Sequence, residues 1–481
     1  MLRRTKIVAT LGPATDDPKI LDNMLAAGID VARLNFSHGH SKDHIERAEA
    51  IRNRARASGR QVGVLVDLQG PKIRIDNFKA GSVQLTKGDE FILDSKLDAD
   101  AGDEQRVGIS YKELPKDVKR GDTLLLADGQ ISLWVNDVVD GEIICRVMFG
   151  GELSNKKGIN RQGGGLSAGA ITEKDKQDII VAAEIEADYL AISFVRTKED
   201  VEYARELFQA AGGKGGIVAK IERAEALETD TLADIIEVSD VVMIARGDLG
   251  VEVGDAELPA IQKKIIKMAR SQNTIAITAT QMMQSMVDNP IPTRAEVFDV
   301  ANAVLDGTDA VMLSEETAVG QYPDKAIKSM ARICLEAEKQ REARISAHRI
   351  NTTFGSVDES IAMAAMYTGN HLGVKAIASL TESGSTVLWM SRISSGIPIY
   401  AMTRHVQTRR RVTLFRGVYP VSFDVSSENP VSANQEVIDE LLRRGTVRTG
   451  DLVIITRGDL TGVAGGTNVL KIVKVGEQVS F

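Results

Sequence analysis

Lys220 and Glu222 stand two residues apart in the run Ala219–Glu222 (AKIE), so on a strand both side chains point to the same face. Buried charges are costly unless paired or bound to a metal. The plain alternative is an internal salt bridge. Asp248 ends another apolar run, in Arg246-Gly247-Asp248, and with Glu222 it makes a carboxylate pair suited to a hard cation. Mg²⁺, or Mn²⁺ in its place, takes one or two carboxylates plus substrate oxygens. Arg33, Arg74 and Lys220 would then face phosphate charge. A metal, several cations and few general bases are the inventory of phosphoryl transfer. The glycines of Arg246–Gly250 allow backbone N–H groups to approach an anion closely. Further polar residues end other apolar runs: Asn35, Ser37 and His38; Asp67 and Gln69; Thr278, Thr280 and Gln281; Ser314, Glu315 and Glu316. Any one of these reads as a solvated loop residue. Agreement across six runs is harder to dismiss.

Other chemistries lack their signatures. There is no GxxxxGK[ST] loop and no HExxH, and no strand is expected to feed directly into Gly163-Gly164-Gly165. His40 and His44 read equally well as cap and surface positions, and Met282, Met283 and Met286 as core packing. With 59 Lys+Arg against 67 Asp+Glu the net charge is −8, which argues against a nucleic-acid binder. Two cysteines, Cys145 and Cys334, exclude a disulfide framework and fit a reducing cytoplasm. No apolar run approaches the length of a membrane span, and the opening MLRRTKIVATLGPATDD does not read as a signal peptide.

The residues need a frame that brings many strand ends together. Continuous β-branched runs begin at Lys6, Val31, Val62, Tyr189, Ile217, Val241, Thr274 and Ala310. They are predicted to extend to Gly12, Ser37, Gln69, Val195, Glu222, Gly247, Met282 and Glu316. Continuous rather than alternating apolar runs suit strands covered on both faces. Capped helical stretches lie between them: Lys19–Ala27, Lys42–Ser58 after Ser41, Lys174–Ala187 after Thr172-Glu173, and Arg294–Asp306 between Thr293 and Gly307. Eight parallel units predict a closed (β/α)8 TIM barrel, with its site at the C-terminal strand ends. The spacing of 127 residues between the third and fourth runs predicts an inserted small all-β domain. After about residue 345 a C-terminal α/β sandwich of about five strands is expected, with helices at Ser356–Leu372, Gly384–Ser395 and Ser432–Arg444. The expected domains are 1–70 with 170–345, then 71–169, then 346–481.

At these same residues the chain resembles the pyruvate kinase family along its whole length. The segments that carry the likeness are TKIVATLGPAT at the start, Ala32–Gly39 (ARLNFSHG), Gly70–Arg74 (GPKIR), Lys156–Asn160 (KKGIN) and Ala219–Glu222. To these add Ala245–Glu252 (ARGDLGVE), Thr278–Met286 (TATQMMQSM), Pro292–Pro323 and Thr381–Thr386 (TESGST). The stretch after Asp67 resembles the bacterial type activated by AMP or a sugar phosphate. The resemblance implies phosphoryl transfer from phosphoenolpyruvate to ADP, giving pyruvate and ATP, the last step of glycolysis. It implies Mg²⁺ on Glu222 and Asp248, and the substrate carboxylate at Gly247, Asp248 and Thr280. It implies the substrate phosphate on Arg33 and Lys220, and nucleotide contacts at Asn35, His38, Arg74 and Lys157. Thr280 would stand on the proton path to pyruvate, with a relay through water and Ser314 or Glu316. The inserted domain would close over the site on hinges at Gly70 and Gly163–Gly169 and exclude water.

Many members hold K⁺ on residues matching Asn35, Ser37 and Asp67, with Thr where Leu68 stands and Glu where Lys72 stands. Leu68 offers no side-chain oxygen and Lys72 brings an ammonium, so K⁺ is expected not to be required. The loop Thr381, Glu382, Ser383, Gly384, Ser385 and Thr386 matches the family's effector site, where AMP or a sugar phosphate fits; simple N-capping is the alternative. The family also implies a cytoplasmic homotetramer. Two rivals are another Mg²⁺-dependent lyase or aldolase of the phosphoenolpyruvate/pyruvate barrels, which the inserted domain and Lys220 disfavour, and a catalytically dead effector-binding protein. The latter should have lost some of Arg33, Lys220, Glu222, Asp248 and Thr280, and none is replaced.

Overall fold

The structure, a computed structural model, describes residues 2–340, 343, 353–426, 429–459 and 465–477. The expected boundary at 345–346 lies outside the described residues. Eight parallel strands close a barrel: Lys6–Leu11, Val31–Asn35, Gly63–Asp67, Tyr189–Ile192, Gly216–Ile221, Val241–Ala245, Ile275–Ala279 and Ala310–Leu313. The first pairs with both the second and the eighth, which seals the ring. Every residue of the first, third, sixth and seventh strands is buried, which explains their unbroken apolar runs.

The strands stop sooner than their apolar runs at the C-terminal end. The run from Thr274 to Met282 yields only Ile275–Ala279, because Thr280 and Gln281 take φ of 63° and 53°. The run from Tyr189 to Val195 stops at Ile192, before Phe194 at φ 58°. Left-handed backbone at residues other than glycine costs about 1–3 kcal/mol each and concentrates at functional sites.

Helix ends follow local capping chemistry. Helix Arg294–Asp306 begins with a Thr293–Glu296 capping box and ends at left-handed Gly307, as the spacing predicts. Helix Glu173–Glu184 opens on Thr172 in the same way. Helix Ser41–Ala57 begins one residue before its expected start. His40 rather than Ser41 takes the cap position, because the Asp43 carboxylate accepts the His40 N–H at 2.9 Å.

Between the third and fourth strands the chain builds a six-stranded sheet and a two-stranded sheet around their own apolar core, which includes Phe91, Leu124, Val135 and Val147. After the barrel, strands Ala376–Leu380, Ile399–Thr403, Val418–Ser422, Leu452–Gly458 and Thr467–Lys474 form one sheet. Its last strand is antiparallel. Helices Val357–Leu372, Ser385–Ser391 and Pro430–Arg443 accompany it. The middle helix is shorter than Gly384–Ser395 because the chain leaves it at Arg392, whose guanidinium turns to Asp309. This sheet is not a free-standing layer. One apolar cluster runs from the barrel interior (Val8, Leu65, Met243, Ile277) into Met366, Ile377 and Val418. The C-terminal sheet therefore backs the barrel end opposite the convergent polar residues, and leaves that rim open to the inserted sheets. Among the described residues no helix is long and apolar enough to cross a membrane.

Candidate active site

The second and third strands place their polar ends in register, Asn35 opposite Asp67. The Arg33 Nε donates to Asp67 Oδ2 at 2.7 Å, and its other arm donates to Thr10 Oγ1 at 2.9 Å. From the fifth strand Lys220 reaches the same carboxylate, 3.2 Å from Asp67 Oδ1. Its ammonium also lies 3.0 Å from Glu222 Oε1 and donates to Ser193 Oγ at 2.7 Å. Glu222 accepts the Phe194 N–H at 2.8 Å, a bond that the left-handed turn at Phe194 presents. Asp67 and Glu222 are 1% and 2% exposed. The internal salt bridge anticipated for Lys220 and Glu222 is thus real, and Asp67 and Arg33 belong to it.

The charges hold one another in place. Burial alone would raise the Asp67 carboxyl, but Lys220 and Arg33 outweigh it and keep it below the usual carboxylate range. Burial likewise works against the Lys220 ammonium, and Asp67 with Glu222 overcomes it and raises its pKa. Glu222 goes the other way: burial lifts its carboxyl, Lys220 opposes, and Asp248 and Asp67 add to the lift.

Asp248, in helix Arg246–Val253 beyond the sixth strand, meets the Lys72 ammonium at 3.2 Å. That is the one ion pair of Lys72 among the described residues. Two ammonium groups, from Lys220 and Lys72, thus stand on the two carboxylates expected to hold Mg²⁺. This donor set fits a divalent ion. Among the described residues no group of three or more His, Cys, Asp or Glu is arranged for a metal.

Thr280 Oγ1 accepts the Gly247 N–H at 2.8 Å and donates to the Ala279 carbonyl at 2.7 Å. Arg246 clamps this strained turn. It donates to the Thr280 carbonyl at 2.8 Å and grips Asp299 with two bonds of 2.7 Å. Glu316 is fully buried and accepts the N–H groups of Met283 and Ser314, at 3.0 and 2.7 Å. Each of its oxygens accepts one of these bonds, which fixes the carboxylate in place.

The remaining expected residues lie further out. Asn35 Oδ1 accepts the Ser37 N–H at 3.1 Å. His38 and Lys157 are exposed. Arg74 donates to the Lys156 carbonyl at 2.9 Å, within the inserted sheets. In the C-terminal loop, Thr381 Oγ1 accepts the Gly384 N–H and Thr386 Oγ1 bonds Thr467. Ser383 Oγ accepts the Ser385 N–H at 3.4 Å, and Ser385 Oγ faces Asp358 at 3.3 Å. Gly384 itself is the helix cap, and no side chain caps that helix.

Sequence reasoning missed Thr10, Ser193, Asp299 and Glu252. Thr10 and Ser193 carried the same signal as Arg33, a polar residue near the end of an apolar run. Glu252 has no exposed side-chain surface. It accepts the Ala224 N–H at 2.8 Å and faces Arg223 at 3.4 Å, and its carbonyl accepts the Gly163 N–H at 3.0 Å. It thus ties the inserted segment's return to the rim. Burial pushes its carboxyl up from 4.5 to about 7, against the pull of Arg223. The folded chain therefore binds a proton there that the unfolded chain releases. Stability should fall as pH rises from about 4.5 to about 7 and level off above, by at most ~3 kcal/mol. Melting curves of Glu252→Gln should gain on the wild type across that window. A gap that stays constant with pH would contradict this.

The family model for the pyruvate kinase barrel domain matches residues 2–327, and that for the pyruvate kinase alpha/beta domain matches 359–473. Pyruvate kinase II of Salmonella typhimurium is 56% identical over 476 residues, covering 98% of this chain and 99% of that protein. The pyruvate kinase of Buchnera aphidicola subsp. Baizongia pistaciae is 54% identical, with 98% and 99% covered. That of Haemophilus influenzae is 53% identical, with 95% and 96% covered.

Proposed function

The chain belongs to the pyruvate kinase family and is a phosphotransferase; on that premise we propose how its own residues transfer the phosphoryl group of phosphoenolpyruvate to ADP. The observation that carries this is the buried Lys220 ammonium shared by Asp67 and Glu222, with Arg33 on the same carboxylate. Arg33 and Lys220 bind the substrate phosphate. The bond from phosphorus to the enol oxygen breaks, and a β-phosphate oxygen of ADP takes the phosphorus. Lys220 meets the charge that spreads over the transferring oxygens, an electrostatic role fixed before the reaction begins. Glu222 and Asp248 would hold Mg²⁺, which when bound would supply Lewis-acid charge. Gly247, Asp248 and Thr280 orient the substrate carboxylate. The enolate then takes a proton on carbon from the Thr280 side, giving pyruvate. Asn35, His38, Arg74 and Lys157 face the nucleotide.

Residues 71–169 act as the lid over the barrel formed by 1–70 and 170–345. Positive φ at Gly70 and at Gly163–Gly165 gives both connections a backbone suited to hinging. Omitting ADP tests the reaction: pyruvate should appear only with ADP, one ATP for each. Metal-dependent release of pyruvate without ADP would favour the lyase or aldolase reading.

K⁺ is not required in this account. Asp67 already has two cations, Leu68 adds no oxygen, and Lys72 brings one more positive charge to the rim. A K⁺ held by Asn35, Ser37 and Asp67 is the competing arrangement. AMP or a sugar phosphate acts at Thr381, Ser383, Gly384, Ser385 and Thr386, and the enzyme works as a cytoplasmic homotetramer in glycolysis. One assay series checks both the monovalent ion and the effector. Activity should be full before KCl is added, and a phosphorylated metabolite should lower the half-saturating phosphoenolpyruvate concentration. The pair Ser383→Ala with Ser385→Ala should lose only the second response. Turnover that needs KCl would return K⁺ to Asn35, Ser37 and Asp67, and activation unchanged in the double variant would remove the effector loop.

A further inference from the structure

A second cationic centre lies between the barrel and the C-terminal sheet, at the end opposite the active site. Arg4, Arg270, Arg392 and Arg416 gather there around Asp309 and Glu338. Arg392 takes both oxygens of Asp309, and Arg4 pairs with Glu338 at 3.5 Å. Among the described residues the Arg270 side chain donates only to the Arg392 carbonyl at 3.1 Å and to Ser394 Oγ at 3.2 Å. Arg416 is 8% exposed and, among the described residues, has no hydrogen bond or ion pair; its Nη2 is wholly buried without a partner. Two guanidinium groups, Arg416 buried and Arg270 half-buried, therefore have no carboxylate of their own. An uncompensated buried charge is expensive, and a guanidinium does not escape by losing its proton. Burial and the neighbouring Arg270 push Arg416 down to about 10, against Glu338 and Asp309, which leaves it charged at neutral pH.

Both groups line one small cavity, together with Arg4, Asp309, Ser394 and Ser395. Its volume is about 20 Å³, measured as room for the centre of a water-sized sphere. One water needs ~10–15 Å³ on that measure, so the space takes a small ion but no sugar or base. The backbone around it is fixed from both sides. The Gly417 N–H donates to the Arg4 carbonyl at 3.0 Å, and the Gly417 carbonyl accepts the Ile399 N–H at 3.0 Å.

We propose that this cavity binds a small divalent oxyanion, inorganic phosphate foremost, between Arg416 and Arg270. Two unmatched guanidiniums call for two negative charges. The fork of N–H donors on each matches paired oxygens of a tetrahedral anion better than a spherical halide. The ion would join Arg270 of the barrel helix Leu258–Ser271 to Arg416 of the C-terminal segment, so its binding strengthens that junction. The site is separate from the effector loop, and its size excludes the metabolites proposed there.

Calorimetric titration of the full chain with phosphate, in chloride-free buffer, tests this. Arg33→Gln serves to mark any phosphate bound at the active site. The wild type and Arg33→Gln should share one site per chain that Arg416→Gln weakens at least tenfold. Arg416→Met should melt no lower than the wild type without phosphate, since it removes an unpaired buried charge. Phosphate at ten times its Kd should raise the wild-type Tm by about 1.4 °C and raise that of Arg416→Met by less. Equal phosphate affinity in Arg416→Gln would overturn the proposal. So would chloride binding as tightly as phosphate, or the same Tm shift in Arg416→Met.

Discussion

Lys220→Met is expected to lower kcat about 10³-fold, the upper range for removing one preorganised charge from a site of this kind. The ammonium sits 3.2 Å from Asp67 and 3.0 Å from Glu222, with 12% of its side chain exposed. Arg33 stays on Asp67, which spares that carboxylate. Glu222 is left buried with no counter-charge, and breaking a buried pair in this way costs about 3–5 kcal/mol. The variant should therefore be less stable and should recover more of its Tm on adding Mg²⁺ than the wild type gains. Turnover within tenfold of the wild type would mean that Lys220 only balances internal charge.

Glu222→Gln should raise the Mg²⁺ concentration needed for half-maximal rate by about 10²-fold or more, beyond the ~10–100-fold typical of residues one shell away from a metal. Stability should hold or improve, because burial already lifts the Glu222 carboxyl and Lys220 keeps Asp67 as a partner. Asp248→Asn should weaken Mg²⁺ in the same direction with little change in stability, since Asp248 is about a fifth exposed. Titrating activity against Mg²⁺ separates these effects from loss of fold. An unchanged Mg²⁺ requirement in Glu222→Gln would move the metal elsewhere.

The barrel was legible because each strand is buried on both faces and so leaves an unbroken apolar run. The rim was legible because Arg33, Asp67, Lys220 and Asp248 interrupt such runs at corresponding ends. What escaped has physical reasons. The turns at Phe194, Thr280 and Gln281 adopt left-handed backbone that no local propensity favours, so the strands read too long. They are held by tertiary bonds, from Phe194 N–H to Glu222 and from Arg246 to the Thr280 carbonyl. Asp299 clamps Arg246 from a helix 53 residues away, where it reads as an ordinary polar position. Arg33 and Lys220 were readable as phosphate ligands, but their joint hold on Asp67 depends on strand register, which only the closed ring supplies. The cavity at Arg416 was invisible for the same reason: its residues come from the start, the middle and the last third of the chain and meet only when the C-terminal sheet backs the barrel.

The most direct test follows phosphorus through one turnover. Wild type and Lys220→Met would be mixed with phosphoenolpyruvate, ADP and Mg²⁺ and quenched on a millisecond-to-minute scale, with ATP and pyruvate measured together. The account predicts equal amounts of ATP and pyruvate in both, with transfer about 10³-fold slower in the variant. Pyruvate without ATP, or transfer at the same rate in both proteins, would contradict it.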